Sequence, residues 1–99
     1  MNIQALMKQA QSLQKDMMNA KKELDAMEFT GESSLVTVVV KGDKTLSSVK
    51  IKDLSSFDKE DVELLEDMIV VAMNDALKKI DAAYEDKMGK YGNAIPSFF

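Results

Sequence analysis

Lysine supplies every cation of this chain. All 13 basic residues of the 99 are Lys, against 17 Asp and Glu, for a net charge of −4. Near the N-terminus Lys8, Lys15 and Lys22 recur every seven residues, with Lys21 beside them and Gln4, Gln11 and Gln14 alongside. On a helix this spacing draws a basic stripe with one charge per roughly 10 Å. Lys78, Lys79, Lys87 and Lys90 form a second group toward the C-terminus. Such stripes can neutralise regularly spaced anions, above all the phosphates of a nucleic acid. Their other use is plain solvation of a helix face. Because Arg is absent, the planar fork that grips phosphate or guanine bidentately is missing.

The remaining side chains offer little reaction chemistry. There is no Cys, His or Trp, so disulfides, thiol and imidazole catalysis and Cys/His metal sites are excluded. No Gly-rich phosphate loop or nucleophile elbow occurs. Asp58, Glu60, Asp61, Glu63, Glu66 and Asp67 form the one dense acidic cluster. They spread around successive helix turns, whereas a Mg²⁺ or Ca²⁺ site needs oxygens converging on one point. Their expected roles are complementing a helix dipole and solvation. The expectation is a non-enzymatic chain without cofactor. No run approaches the ~18 apolar residues of a membrane span. Met1-Asn2-Ile3-Gln4 lacks the basic start of a signal peptide. A soluble, cytoplasmic protein with no membrane partner is expected.

Three sections and a tail must position these residues. Residues 2–28 contain no Gly or Pro and are rich in Gln, Lys, Leu, Met and Ala, all good helix formers. Ile3, Leu6, Ala10, Leu13, Met17, Ala20, Leu24 and Met27 alternate in steps of three and four, an unbroken a/d heptad. Lys8, Lys15 and Lys22 fall on the opposite face. A helix of this length, roughly 38 Å, outruns the core of a 99-residue domain. Leu6, Leu13, Met17 and Leu24 are therefore the expected seam for pairing with another helix. Asp16 and Lys21 fit a parallel seam, but Glu23 and Glu28 would repel across it.

Residues 29–56 switch to Thr, Ser, Val and Gly. Leu35–Val40 is a β-branched run followed by a turn at residues 41–44, and Ser47, Val49 and Ile51 alternate with Ser48, Lys50 and Lys52. The alternation predicts a strand with one half-buried face. Glu28–Glu32 is the third candidate strand. From 58 to 88 the chain returns to helix formers, with Asp58 as N-cap. Val62, Leu65, Met68, Ile69, Ala72, Met73, Ala76, Leu77 and Ile80 give that helix a face broad enough to cover a sheet. Val38 and Ile69 belong to the expected core. After Lys78 the apolar face narrows to Ile80, Ala83, Tyr84 and Met88, and the helix is expected to leave the sheet and end near Gly89. Residues 89–99 form a tail. One domain over 1–99, helix, strands and helix, is the expected organisation. Most of the acid excess lies beyond residue 56, where 5 Lys meet 10 acids.

The stretches LMKQAQSLQKDM, FTGESSLVTVVVKGD, VKIKDL and LLEDMIVVAMNDALKKI occur in that order. Together they resemble the YbaB/EbfC family of bacterial nucleoid-associated proteins from Leu6 to about Met88. Where members commonly carry a Gly-rich loop, this chain has Ser33-Ser34-Leu35. The resemblance implies an α+β, two-layer helix–three antiparallel strands–helix fold and a homodimer whose long protruding helices hold double-stranded DNA with little sequence preference. On that reading Lys8, Lys15, Lys22, Lys78, Lys79, Lys87 and Lys90 face DNA in the nucleoid. The alternative is a protein-interaction module in which the long helices and the apolar tail engage another protein and DNA contact is incidental.

Overall fold

The computed structural model describes residues 2–52 and 58–89. The first helix, α1, spans Ile3–Ala26. Asn2 caps it, its side-chain oxygen accepting from the N–H groups of Gln4 at 3.1 Å and Ala5 at 3.3 Å, which satisfies donors a helix start leaves unpaired. Met27 turns to extended geometry and ends the helix. Three strands follow, β1 (Glu28–Glu32), β2 (Val36–Lys41) and β3 (Leu46–Ile51), forming an antiparallel meander in sequence order. Thr30 faces Val39 across the first pair, and Val38 faces Val49 across the second. Ser33 closes the β1–β2 turn, its N–H donating to the Val36 carbonyl at 2.8 Å. In the β2–β3 turn, Asp43 Oδ1 accepts from the Thr45 N–H at 2.9 Å, and Lys44 takes a left-handed φ of 70°.

The second long helix, α2, spans Val62–Met88 and is entered through a single 3₁₀ turn at Lys59–Asp61. Asp58 is the cap, as its type and position predict. Its carboxylate accepts from the Glu60 N–H at 2.9 Å, while the Asp61 carboxylate accepts from the Asp58 N–H at 3.0 Å. This reciprocal pair and the acids that follow suit the positive end of the helix dipole.

The core forms where α2 crosses β1 and β2. Val36, Val38 and Val40 all point to one face and are fully buried against Ala72, Ala76 and Ile80. Burying each Val stabilises the fold by about 1.5–3 kcal/mol. Small residues set how close the layers come. A Cβ on Gly31 of β1 would lie 2.0 Å from the Ala72 carbonyl oxygen and 2.7 Å from the Ala76 Cβ, so this approach needs a glycine. Beside it, Asp75 accepts from the Glu32 N–H at 3.0 Å and Lys79 Nζ donates to the Thr30 carbonyl at 2.7 Å. These bonds tie α2 to the β1 side of the sheet.

That placement corrects one expectation. Val49 and Ile51 lie opposite Val38 and Val36, on the core face, yet every residue of β3 is exposed. The cause is the seating of α2 over β1 and β2, which leaves the β3 third of that face uncovered.

Past Ile80, α2 leaves the sheet and its last two turns run against α1. Met17, Ala20, Leu24 and Met88 form a second buried cluster, with Phe29, Ala83 and Tyr84 packed on it. The helices are antiparallel there, since Glu23 meets Lys87 and Asp25 meets Tyr84. Residues 3–15 of α1 continue beyond this junction and are exposed throughout, an arm of about 20 Å at 1.5 Å per residue. The molecule is accordingly elongated, 72 × 18 × 15 Å.

Gly31→Ala is expected to lower stability in urea unfolding by about 1–3 kcal/mol, the usual cost of overpacking. Gly89, where an added Cβ meets nothing within 4 Å and φ is −60°, is the control. Gly89→Ala should leave stability unchanged or raise it by up to about 1 kcal/mol.

Candidate nucleic-acid interface

The α1 arm has a distinctive composition. Residues 2–15 contain no Asp or Glu, and their polar side chains are Asn2, four Gln, Ser12, Lys8 and Lys15. Lys8, Lys15 and Lys22 are all exposed. At 100° per residue, seven residues return to within 20° of the starting direction, so the three amines stay on one face with a slow drift. Gln11, Gln14, Lys15, Met18 and Asn19 line a shallow depression on the arm. These groups combine positive charge with amide donors and acceptors, and no carboxylate competes for the amines within the arm.

The other predicted lysines stand in different surroundings. Lys78 is exposed and, like Lys8, Lys15 and Lys22, makes no ion pair among the described residues. Lys79 is occupied by the Thr30 carbonyl and by Asp75 at 3.4 Å. Lys87 is paired with Glu23 at 2.6 Å across the helix junction. Lys90 lies outside the described residues. The seven predicted cations thus divide into four with free amines, two engaged within the chain, and one not described.

The apolar seam divides as well. Met17 and Leu24 are buried in the α1–α2 junction and Val38 in the sheet core, with Ile69 half-buried at its rim. Leu6 and Leu13 remain 47% and 42% exposed, and Ile3 at the tip 69%. One continuous heptad therefore serves two environments, an internal joint and a bare arm.

Sequence reasoning missed the polar clasp at this joint. The Tyr84 hydroxyl donates to Asp25, which also accepts from Lys21 Nζ at 2.9 Å. The Tyr84 bond and then the Lys21 bond hold the Asp25 carboxyl below its ordinary value of 3.8. Burial, reinforced by the Asp25 bond, pushes the Tyr84 hydroxyl up to about 12. The partners are 59 residues apart, and the only signal for either was the place of Tyr84 on the narrowed face of α2. Likewise, the Glu32 N–H and Lys79 together keep the Asp75 carboxyl below its usual range. Among the described residues no group of His, Cys, Asp and Glu is placed to hold a metal ion. No described helix is long and apolar enough to cross a membrane.

Comparison with known proteins shows the family and the fold. Residues 1–95 match the YbaB/EbfC DNA-binding family. A protein of Enterococcus faecalis named nucleoid-associated protein is 42% identical over 99 residues, covering 98% of this chain and 94% of its own. A similarly named protein of Lactococcus lactis subsp. lactis is 46% identical over 98 residues, covering 97% and 98%. The crystal structure of an uncharacterized protein from Helicobacter pylori matches with a TM-score of 0.73 over 92% of this chain and 97% of that one, at 19% identity. That likeness shows the fold, helix, three antiparallel strands and helix.

Tyr84→Phe removes the clasp and is expected to cost about 1–2 kcal/mol at neutral pH, the range for a bond to a charged acceptor. The pH dependence follows from the two shifts. The Asp25 contribution is complete above its ordinary 3.8 and is lost as pH falls below it. The Tyr84 contribution is complete below its ordinary 10.0 and is lost as pH rises through about 12. Urea unfolding of wild type and Tyr84→Phe across this range should show the difference between them largest from about pH 5 to pH 9.

Proposed function

Because this chain belongs to the YbaB/EbfC DNA-binding family, we propose that it is a non-enzymatic, homodimeric nucleoid-associated protein of the bacterial cytoplasm that binds double-stranded DNA with little sequence preference. The observation carrying this reading is the projecting, acid-free half of α1, with its exposed and unpaired Lys8 and Lys15. Lys22 and Lys78 are the further free amines. Lys79 and Lys87 hold the helices in place and reach phosphate only by exchanging their internal partners. Lys90, just past the end of α2, adds a cation to the same chain end.

Lysines neutralise phosphates as point charges and release condensed counterions, a term that is blind to sequence. Each ammonium bound to phosphate steepens the salt dependence of log K by about 0.9. Arg is absent, so the rigid guanidinium fork that reads guanine bidentately is absent with it. The acidic start of α2, from Asp58 to Asp67, repels a duplex and confines binding to the arms.

Dimerisation is supported by what the single chain leaves uncovered. Leu46, Val49 and Ile51 of β3 and Val70 and Val71 of α2 are exposed, as are Leu6 and Leu13 on the arm. A second copy covering such surface is the usual resolution. Two copies give two arms, doubling the charge presented to one duplex. The relatives in Enterococcus and Lactococcus carry the name nucleoid-associated protein, which supports the same location for this chain.

Gel shifts with a mixed-sequence duplex should show binding at low salt that is lost progressively as salt rises. Lys8→Glu with Lys15→Glu should abolish it while leaving the circular dichroism spectrum unchanged. Full binding by that double variant would show the stripe to be solvated surface only. In sedimentation at micromolar concentration the protein should run at twice its 11.0 kDa chain mass. A species at the single-chain mass would refute the dimer.

A further inference from the structure

An all-lysine cationic surface is open to a modification that an arginine surface resists. The guanidinium stays protonated in proteins. An ε-amine can lose its proton, act as a nucleophile and take an acyl group, which removes its charge. All 13 cations here are of the second kind.

The structure sorts these amines by availability. Lys79 Nζ donates to the Thr30 carbonyl at 2.7 Å, Lys87 Nζ lies 2.6 Å from Glu23, and Lys21 Nζ lies 2.9 Å from Asp25. Each must leave its partner before presenting a lone pair. Lys8 and Lys15 are exposed and in no ion pair among the described residues. Their neighbours one helical turn away are Gln4, Ala5, Gln11 and Ser12 for Lys8, and Gln11, Ser12, Met18 and Asn19 for Lys15. None of these is acidic, and the adjacent Asp16 does not share the Lys15 face. Acyl phosphates and nucleotide-bearing thioesters are anions. The arm attracts them, and the acidic turns of α2 repel them.

We propose that Lys8 and Lys15 are acylation sites that receive the acetyl group of a phosphate-bearing donor, and that this modification switches off the arm. The switching role rests on the DNA-binding reading above. The neutral Nζ attacks the acetyl carbonyl carbon and an N–C bond forms. With acetyl phosphate, the C–O bond to phosphate breaks, inorganic phosphate leaves with the electron pair, and the amine proton passes to solvent. Each event removes one positive charge. Residues 2–15 hold no other charged side chain, so two events leave the arm's side chains neutral.

The test incubates the full chain with acetyl phosphate, follows each lysine by peptide mass spectrometry, and measures mixed-sequence duplex binding before and after. Lys8 and Lys15 are expected to react several-fold faster than Lys79 and Lys87. Duplex affinity at moderate salt should then fall at least about tenfold, and the salt slope should become shallower by about 0.9 for each ammonium neutralised. Lys8→Arg with Lys15→Arg keeps the charge but blocks the chemistry at these two positions, so treatment should cost this variant clearly less of its own starting affinity than it costs the wild type. Equal rates at Lys8, Lys15, Lys79 and Lys87 would overturn the site assignment. An equal loss of affinity in the double Arg variant would overturn the switch. Failure of the untreated protein to bind duplex would instead defeat the DNA-binding reading, while the rate order, measured without DNA, decides the site on its own.

Discussion

The projecting half of α1 is held in place by a joint at its other end. There Gly42 comes so near that a Cβ would lie 1.8 Å from the Leu24 carbonyl oxygen, and its N–H donates to the Met27 carbonyl at 2.9 Å. Only a glycine permits that approach. It lets the β2–β3 turn brace the end of α1 while Met17, Ala20 and Leu24 close on Met88, Tyr84 and Phe29. Phe29 also packs on the sheet core, so the joint and the core share a side chain. The Tyr84–Asp25 clasp and the Glu23–Lys87 pair add direction to an otherwise apolar interface. An arm anchored at one end needs such a joint, because a charge stripe positioned by a loose hinge would lose part of its binding free energy to ordering.

The same reliance on small residues shapes the sheet. Gly31, Ala72 and Ala76 bring α2 onto β1, and the valines of β2 fill the space beside them. The helix covers two strands of three. A fold so arranged satisfies its own core but leaves β3 and the arm with apolar surface, the observation behind the proposed dimer. At 99 residues the chain has few other ways to bury that surface.

Much of this was legible in the residues. The heptad from Ile3 to Met27, the β-branched run before the turn at Gly42, and the Asp58 cap each declare an element through local physics, and each is where its pattern puts it. Periodicity could not divide the heptad at Asp16, because Leu13 and Met17 are equally apolar and only the reach of α2 decides which is covered. The alternation in β3 correctly assigned Val49 and Ile51 to one face. Their exposure depends on where α2 sits, set by Gly31 and by the Lys79–Thr30 bond between residues 49 apart in sequence. The lysines illustrate the same limit. Spacing put three in a stripe and left four as a second group, whereas the engagement of Lys79 and Lys87 depends on tertiary neighbours that no local pattern reveals. The net charge of −4 misleads for a related reason, since acids concentrated on α2 conceal an arm with none.

Duplex DNA, on this account, is met by the free-lysine face of the α1 arm. Backbone amide shift mapping during a titration with a mixed-sequence duplex at low salt tests that claim most directly. The expected result is a set of perturbed amides running along the face of Lys8, Lys15 and Lys22, with Thr30, Asp75 and Lys79 undisturbed. Perturbations confined to the sheet or to α2, with the arm silent, would contradict it.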